Sequence, residues 1–579
     1  MIMKNFLKSN KNLIFLILIV LLASFFRLFG LNWDQGQHLH PDERFLTMVV
    51  SAFKLPANLP DYLNPKISTM NPYNVGFSFY VYGNFPLNIT KIIGEITKNV
   101  DYWNIHFIGR RLSAIFDIGV VFLLYLIGKK ISDEKASLFS AFLYSIMVLP
   151  IQLSHFFAVD TFLNFFIFLS FFFLVSLLNT KYFIPKTILL GISFGFALGS
   201  KISALYFLPI IGLGFLFFLK KEIFSREKNK ISKIILVSIG GFCFLLTSIF
   251  FFRLNQPQAF ETGNFLNWEI NYQFQKNLKE LKSFNDPNST FPPSIQWKST
   301  TPILFPLKNM ILWGLGLPLG GVVALAISFT IYQILKKQKK FSSFKFGGLL
   351  ALLWIFGLFF YQGIQFCKTM RYFFPIYPFL ALLSGNFLNN FFNRIKSKKL
   401  KLILMVGLSS ILLVYPLSFM HIYTHPITRV STSKWIYENI PEGSTVTYEE
   451  WDDGLPLGLP NYPPLNLKSE SLFMYDFDTP EKWQKLNEKL AKVDYYFITS
   501  NRAYGSTMKL PDKYPQTTAF YRSLFDGTGN FKKVAEFTSY PCFPPFGDKH
   551  LFCFNDDSAE EAFTVYDHPK VMIFSKKGK

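Results

Sequence analysis

The chain has 579 residues, of which 50% are hydrophobic, 18% aromatic and only 17% charged, and its formal net charge is +22. Its apolar residues come in runs of about twenty, the length that crosses the hydrocarbon core of a bilayer, which excludes an ordinary soluble protein. Its Lys and Arg residues lie largely in short loops between these runs. That distribution is typical of topology determinants and argues against a groove that binds nucleic acid.

The first apolar run, residues 13–31, follows three lysines, so the N-terminus is expected in the cytoplasm. The run is longer than the core of a signal peptide and lacks a small-x-small cleavage site, so we interpret it as a retained helix. It leads into an outer segment, residues 33–106, where Asp42 and Glu43 emerge beside the membrane surface. Acids are unfavourable at a membrane edge unless they are solvated, paired or used, which makes this pair the first candidate site.

The remaining apolar runs alternate with loops that are rich in Lys and Arg, as the positive-inside rule requires. Residues 136–178 and 187–219 are too long for one crossing and must turn, the first between 150 and 160 and the second at 199–201. The other runs are 107–127, 235–252, 309–335, 347–366, 373–391 and 402–420. The count is about eleven spans, and parity places five charged residues on the outer side, namely Asp42, Glu43, Asp160, Lys201 and Arg371.

From residue 421 onward the pattern becomes that of a soluble α/β domain, which parity also places outside the membrane. The expected helices are 433–439, 480–490 and 518–525, and the expected strands are 444–448, 494–499 and 571–574. Cys542 and Cys553 can form a disulfide if this domain is extracytoplasmic, and two unpaired thiols are the open alternative. The stretch 451–454 sets an aromatic residue beside two acids, as a sugar site often does, and a capping turn explains it equally well.

The expected fold is therefore mainly α, a polytopic membrane domain over residues 1–420 with an α/β domain over residues 421–579. Carboxylates and cations on one face of a membrane suit a transferase that takes a sugar from a polyprenyl phosphate. The lipid stays in the bilayer, so the site must lie at the level of the headgroups. The leaving phosphate needs fixed cations, and the acceptor hydroxyl needs a carboxylate to take its proton.

Six short motifs occur in order over roughly the first 400 residues. They are Pro41-Asp42-Glu43 and the segments 82–87 (YGNFPL), 111–114 (RLSA), 154–160 (SHFFAVD), 195–201 (GFALGSK) and 371–378 (RYFFPIYP). In this order the set resembles the GT-C superfamily of membrane glycosyltransferases, notably the protein O-mannosyltransferases and the aminoarabinose transferase of lipid A (glycosyltransferase family 39-like). The resemblance depends on the order of these motifs along the chain.

The resemblance implies inverting transfer, in one displacement, from a polyprenyl-phosphate-linked sugar to a protein, lipid or glycan acceptor at the outer face of the plasma membrane. Asp42 would be the general base, and Glu43 would orient the acceptor or hold a partner Arg. Asp160 would position the sugar or a metal, although a divalent metal is not otherwise indicated. Three cations would face the lipid phosphate: Arg111, Lys201 and Arg371.

Each role has a structural alternative. Asp42 and Glu43 can simply begin a helix, Asp160 can cap one, Lys201 can snorkel to the interface and Arg371 can be an ordinary loop charge. The choice of Arg111 over Arg110 rests on the family pattern alone. His38 and His40 can join a metal site, but two histidines beside acids in a loop are more often solvated polar residues.

Two other classes of function compete with the enzyme. A transporter or flippase of lipid-linked saccharides predicts charges buried in mid-span, whereas Asp117 is the main such residue here. A non-catalytic assembly factor predicts that Asp42→Asn leaves activity in cells unchanged. The acids at one edge of the membrane favour the enzyme.

Overall fold

The computed structural model describes residues 11–178, 181–224, 229–289, 291–336 and 343–578, and the chain is mainly helical over them. The helices of the first 420 residues are α1 (Lys11–Leu28), α2 (Pro41–Ala52), α3 (Leu59–Leu63), α4 (Phe85–Thr97), α5 (Tyr102–Ile131), α6 (Glu134–Ser145), α7 (Val148–Ser154), α8 (Asp160–Ser176), α9 (Phe183–Ser200), α10 (Leu208–Ile223), α11 (Lys230–Asn255), α12 (Tyr272–Ser283), α13 (Leu304–Asn309), α14 (Leu317–Leu335), α15 (Ser343–Gly363), α16 (Tyr377–Asn393) and α17 (Lys398–Phe419). Short 3-10 segments at Ile202–Phe207 and Met370–Ile376 precede α10 and α16.

Eight helices in the described ranges are long and apolar enough to cross a membrane, or nine if α6 and α7 form one span bent by 60°. The expected count of eleven is therefore not confirmed. The difference lies in the short helices α8 and α16, which have 17 residues each and stop short of the roughly twenty that one crossing needs. Both double-length runs do break where they were expected to, because α7 ends at Ser154 before α8 begins at Asp160, and α9 ends at Ser200.

The bend between α6 and α7 is held by an ion pair inside the membrane domain. Arg27 of α1 donates from Nε to Asp117 Oδ2 at 2.6 Å and from its terminal nitrogens to the carbonyls of Ser145 and Tyr144 at 2.9 and 3.2 Å. The Tyr144 hydroxyl donates to Asp117 Oδ1 at 2.5 Å. Carbonyls at a helix end lack intrahelical donors, so this arginine satisfies two of them. The mid-span acid Asp117 is thus paired and structural, which removes the feature that favoured a transporter.

A stripe of three glycines packs α9 closely against α11. Gly191, Gly195 and Gly199 recur every four residues, so they lie on one face of the helix. A Cβ atom at Gly195 would approach Phe251 Cβ to 2.7 Å, and one at Gly199 would approach Asn255 Cβ to 2.6 Å. Small residues at this spacing let two membrane helices touch along their backbones. The C-terminal end of α9, which leads into Lys201, is therefore fixed in position.

The C-terminal part of the chain forms a mixed sheet flanked by helices. Its elements are α18 (Thr428–Asn439), β1 (Thr445–Glu449), β2 (Lys468–Leu472), α19 (Pro480–Lys492), β3 (Tyr495–Ile498), α20 (Arg502–Thr507), α21 (Pro515–Phe525), β4 (Phe531–Phe537), β5 (Cys542–Phe543), β6 (Phe552–Cys553), α22 (Glu561–Thr564) and β7 (Val571–Lys576). The sheet order is β2-β1-β3-β7-β4, and β1 pairs in parallel with both β2 and β3, whereas β7 is antiparallel to its neighbours. A disulfide between Cys542 and Cys553 closes the separate β5–β6 hairpin.

All six elements expected in this region are present. The strands β2 and β4 were not anticipated, because both are edge strands with polar sequences, KSESL and FKKVAEF, that bury few side chains. The domain boundary at residue 420 stays a prediction. Contacts across it are polar as well as apolar, since Gln152 Nε2 donates to the Phe563 carbonyl at 2.7 Å and to Asp567 Oδ2 at 3.1 Å.

Candidate active site

Four side chains from distant parts of the chain meet in one cluster, which we call the open cluster: Asp42, Asp160, Lys201 and Arg371. Arg371 bridges the two acids, donating from Nη1 to Asp42 Oδ2 at 2.5 Å and from Nε to Asp160 Oδ2 at 2.8 Å. Lys201 Nζ donates to Asp160 Oδ1 at 2.9 Å. The side chain of Asp42 is 29% exposed and that of Asp160 only 4%, so Asp42 is the acid that a bound molecule can reach.

A second cluster, the buried cluster, lies directly behind the first and consists of Asp34, Glu43 and Arg110. The Arg110 guanidinium donates to both Asp34 oxygens at 3.0 and 2.8 Å and to Glu43 Oε2 at 2.9 Å, and it also contacts Glu43 Oε1. All three side chains are completely buried. Glu43 also accepts the backbone N–H of Phe157 at 2.7 Å, which ties α2 to the chain between α7 and α8. This cluster therefore sets the position of the helix that carries Asp42.

The sequence of α2 explains why its two acids face different partners. Pro41 occupies the first turn, where its missing N–H costs nothing, and His40 Nδ1 caps the helix by accepting the Glu43 N–H at 3.3 Å. Consecutive helical residues project about 100° apart, so Asp42 faces the open cluster while Glu43 faces Arg110. The helix N-terminus favours both carboxylates as anions.

Three further segments bring the remaining charges to Asp42. Asp160 is the first residue of α8, Lys201 directly follows α9, and Arg371 lies in the 3-10 segment before α16. Gly83 allows its loop to pack against the C-terminal end of α9. Its N–H donates to the Ser200 carbonyl at 3.1 Å, and a Cβ atom at this position would lie 2.1 Å from the Gly199 carbonyl oxygen.

Electrostatics keep Asp42 ionised in this arrangement. Burial by itself would raise the pKa of Asp42, but the positive charge of Arg371 outweighs it and holds the pKa below the ordinary value of 3.8. The buried His40 is neutral at pH 7, because burial lowers its pKa to about 4. A neutral imidazole agrees with its role as a hydrogen-bond acceptor at the start of α2.

Two family models match successive parts of the chain. The family described as dolichyl-phosphate-mannose-protein mannosyltransferase matches residues 89–250, and the Alg9-like mannosyltransferase family matches residues 312–445. Among solved structures, the archaeal oligosaccharyltransferase AglB from Archaeoglobus fulgidus, in complex with an inhibitory peptide and a dolichol-phosphate, has a similar fold, with a TM-score of 0.52 and 15% identity over 88% of this chain and 72% of its own. Together these matches support a membrane glycosyltransferase of the GT-C superfamily.

Apo ArnT from Cupriavidus metallidurans is also similar to this glycosyltransferase, with a TM-score of 0.44 and 13% identity over 74% of this chain and 72% of that one. A comparison with curated protein sequences finds no match.

Four of the six residues predicted for the site of the glycosyltransferase lie together in the open cluster. Glu43 is sealed in the buried cluster, where it holds Arg110 and is closed to an acceptor. Arg111, which was expected to face the lipid phosphate, has an exposed side chain, and no described hydrogen bond or ion pair joins it to either cluster. Arg110, one helical position away, takes the buried direction instead. The structure therefore places neither arginine in the open cluster, and the role of Arg111 at the lipid phosphate stays a prediction.

Sequence reasoning missed several residues that shape the site. The Tyr82 hydroxyl donates to Asp42 Oδ1 at 3.0 Å, and its segment was recognised only as part of a motif. The Glu560 carboxylate accepts the Met370 N–H at 2.9 Å and the Thr369 hydroxyl at 2.7 Å, so the C-terminal domain anchors the segment that carries Arg371. Glu560 lies about 190 residues from these partners, and no local pattern marks it.

The site-like stretch 451–454 reaches the acidic helix α2 through one ion pair, and a second ion pair holds the stretch to α18. Asp453 accepts Arg44 Nη2 of α2 at 2.7 Å, and the buried Asp452 accepts Arg429 Nη2 at 2.6 Å. Trp451 is half exposed beside them. These contacts dock the C-terminal domain on α2 and place it at the edge of the open cluster.

The open cluster as arranged does not suit a divalent ion. The two carboxylates that an ion would use, those of Asp42 and Asp160, are already joined by the Arg371 guanidinium. His40 stacks against Phe156 and Tyr566, and His38 packs against Tyr102. No described hydrogen bond joins either histidine side chain to the carboxylates of this cluster.

Proposed function

We propose that this glycosyltransferase moves a sugar from a polyprenyl-phosphate donor to an acceptor on the face of the membrane that carries the C-terminal domain. The proposal depends on one observation: the accessible carboxylate of Asp42 forms an ion pair with Arg371, the cation that the donor phosphate would attract. AglB from Archaeoglobus fulgidus, which shares the fold, is complexed with a dolichol-phosphate. The Lys- and Arg-rich loops on the opposite face support an outer position for the site.

Donor binding would separate Asp42 from Arg371, so that Asp42 can act as the general base. The donor phosphate is a diester with one negative charge shared by two free oxygens, a pair that suits a guanidinium, so it competes with the carboxylates for Arg371. Lys201, which already lies 2.9 Å from Asp160, would add the second positive charge. When Arg371 turns towards the phosphate, the pKa of Asp42 rises because its main counter-charge has moved away. The carboxylate then becomes a stronger base at the moment the donor is in place.

The transfer itself balances in one displacement. The acceptor oxygen forms a bond to the anomeric carbon as the bond from that carbon to the phosphate oxygen breaks, and the configuration inverts. The acceptor proton passes to Asp42, and the electron pair leaves on the polyprenyl phosphate. Arg371 and Lys201 stabilise the negative charge that develops there. Asp160 keeps both cations oriented, since it forms an ion pair with each of them.

The acceptor is proposed to approach between the membrane domain and the C-terminal domain. Trp451 and the ion pairs of Asp452 and Asp453 lie on that path, and Tyr566 of the C-terminal domain stacks on His40 next to Asp42. The arrangement supports a role of this domain in acceptor choice. Deleting residues that follow α18 and finding normal acceptor choice would exclude that role.

The deciding experiment compares Asp42→Asn with wild type in membranes supplied with labelled polyprenyl-phosphate sugars. Loss of a positioned general base typically costs about 10²–10⁴-fold in rate, and the variant should still bind the donor. Asp61→Asn is the matched control, because Asp61 lies in the same loop segment at the start of α3 and contacts only its neighbour Asn58 among the described side-chain hydrogen bonds. Equal turnover by Asp42→Asn and wild type would exclude Asp42 as the base.

A further inference from the structure

The loop between α11 and α12 exposes large apolar side chains that neither cluster uses. Leu266 is 85% exposed and Trp268 is 56% exposed, and Tyr272, the first residue of α12, is 74% exposed. Single exposed apolar residues are ordinary on a protein surface, but three large ones within seven residues are a concentration that marks contact with a membrane or another protein. We call these three residues the apolar patch.

A buried arginine at the end of α11 fixes the shape of this loop. The Arg253 guanidinium donates to the carbonyls of Thr262 and Asn264 at 2.6 Å, and it also donates to the carbonyl of Asn267. It lies 5.3 Å from the ring centroid of Phe265. The donors of an arginine form a rigid fork, so three carbonyls gathered around it restrain the segment that carries them. The apolar patch is therefore presented by an ordered loop.

The apolar patch continues a face of α11 that contacts lipid. Phe242, Leu246 and Phe250 recur every four residues, so they share one face of this apolar, membrane-length helix, and they are 62, 49 and 48% exposed. The ring of Phe250 stacks on that of Phe265 in the loop, with centroids 5.1 Å apart and planes inclined by 26°. Because Phe265 directly precedes Leu266, the exposed apolar surface extends from the helix onto the loop.

Both ends of the loop are joined to the segment that carries Tyr82. Gln256 Nε2 donates to the Tyr82 carbonyl at 3.4 Å, and Gln273 Nε2 in the first turn of α12 donates to the Ser78 carbonyl at 2.6 Å. The Tyr82 hydroxyl in turn donates to Asp42 of the open cluster. The level at which the loop meets a membrane therefore also sets the level of residues 78–82.

We propose that the apolar patch inserts into the membrane interface on the side of the open cluster. Trp and Tyr favour the level of the headgroups, because each has a large apolar ring and one polar group. The bilayer is the partner, and not a second protein chain, because the patch is continuous with a helix face that contacts lipid. The inserted loop holds residues 78–82, and with them the edge of the open cluster, at the level of the headgroups.

The test places an environment-sensitive fluorophore on the full chain in lipid nanodiscs that hold one chain each. Cys243 and Cys367 are replaced by Ser and the Cys542–Cys553 disulfide is kept, so that only one introduced cysteine is labelled. A label at Leu266→Cys should emit at shorter wavelength than one at Asn487→Cys, an exposed position of α19 in the C-terminal domain. Lipids that carry a nitroxide on the acyl chain close to the headgroup should quench the label at Leu266→Cys and leave the control unchanged.

Two further positions keep the test decisive if the first variant does not fold. Trp268→Cys should behave like Leu266→Cys, and a label at Ser78→Cys, an exposed position, should be quenched by a nitroxide on the headgroup itself. Quenching in the loop no stronger than at Asn487→Cys would overturn the insertion. A shifted emission without quenching would show that a protein surface covers the patch, and it would overturn the proposal as well. An unquenched label at Ser78→Cys would overturn the level assigned to the open cluster.

Discussion

Two adjacent arginines of α5 offer the sharpest test of how the site is supported. Arg110 is completely buried between Asp34 and Glu43, whereas Arg111 is exposed. Replacing Arg110 by Ala would strand two buried carboxylates without a counter-charge. Replacing Arg111 by Ala removes the same chemical group from the next position and disturbs neither cluster.

The expected loss of stability follows from the contacts that Arg110→Ala removes. Removing one partner of a buried ion pair costs about 3–5 kcal/mol, because the remaining charge is left in a medium that cannot solvate it. The Arg110 guanidinium also donates to the Leu31 carbonyl at 2.6 Å, and a buried acceptor without a donor adds about 1 kcal/mol. We therefore expect Arg110→Ala to lower the free energy of unfolding by about 4–6 kcal/mol. A surface change such as Arg111→Ala is expected within about 0.5 kcal/mol of wild type.

Tryptophan fluorescence during thermal unfolding in detergent measures the effect, and Trp33 is a local reporter because the Arg110 guanidinium lies 4.9 Å from its ring centroid. Midpoints must be compared at one scan rate, since membrane proteins often unfold irreversibly. A triple variant, Asp34→Asn, Glu43→Gln and Arg110→Met, removes all three charges and should recover part of the lost stability. Equal midpoints for Arg110→Ala and Arg111→Ala would refute the reasoning, as would a triple variant less stable than Arg110→Ala.

Two further predictions concern pH and helix packing. Glu449 is buried and accepts hydrogen bonds from Tyr496 and Tyr521 at 2.7 Å; burial raises its pKa from 4.5 to about 7, so the folded state holds this proton after the unfolded chain has released it. The contribution of protonated Glu449 to the free energy of unfolding is complete below about pH 4.5 and is lost as the pH rises to about 7. The loss is about 3 kcal/mol at 1.36 kcal/mol per pKa unit. Glu449→Gln should flatten this part of the plot of unfolding free energy against pH, and an unchanged plot would contradict the prediction. Gly195→Ala should lower the thermal midpoint and the transfer rate, because the added methyl group pushes α9 away from α11. Gly212→Ala is the control and should be neutral or slightly stabilising, because a Cβ atom there meets nothing within 4 Å. Similar midpoints for the two variants would contradict the packing argument.

The hydropathy of the sequence anticipated both breaks in the double-length runs and predicted that the four residues of the open cluster share one side of the membrane. It did so because apolar length and basic loops report where a chain leaves a membrane, and those signals are local. The count of spans was less secure. Helices such as α8 and α16 are packed within the protein and need not match the thickness of a bilayer, so the length of an apolar run overstates the number of full crossings.

What the sequence by itself determined was the class of protein and Asp42 as the acid to test. Only the tertiary structure decided that Glu43 turns inward, that Arg110 and not Arg111 receives it, and that Glu560 anchors the segment of Arg371. The physical reason is rotational: neighbouring residues on a helix point about 100° apart, so two adjacent arginines with the same hydropathy meet different surroundings. Which of them is buried depends on the partners that other helices supply, and those partners lie far away in the chain.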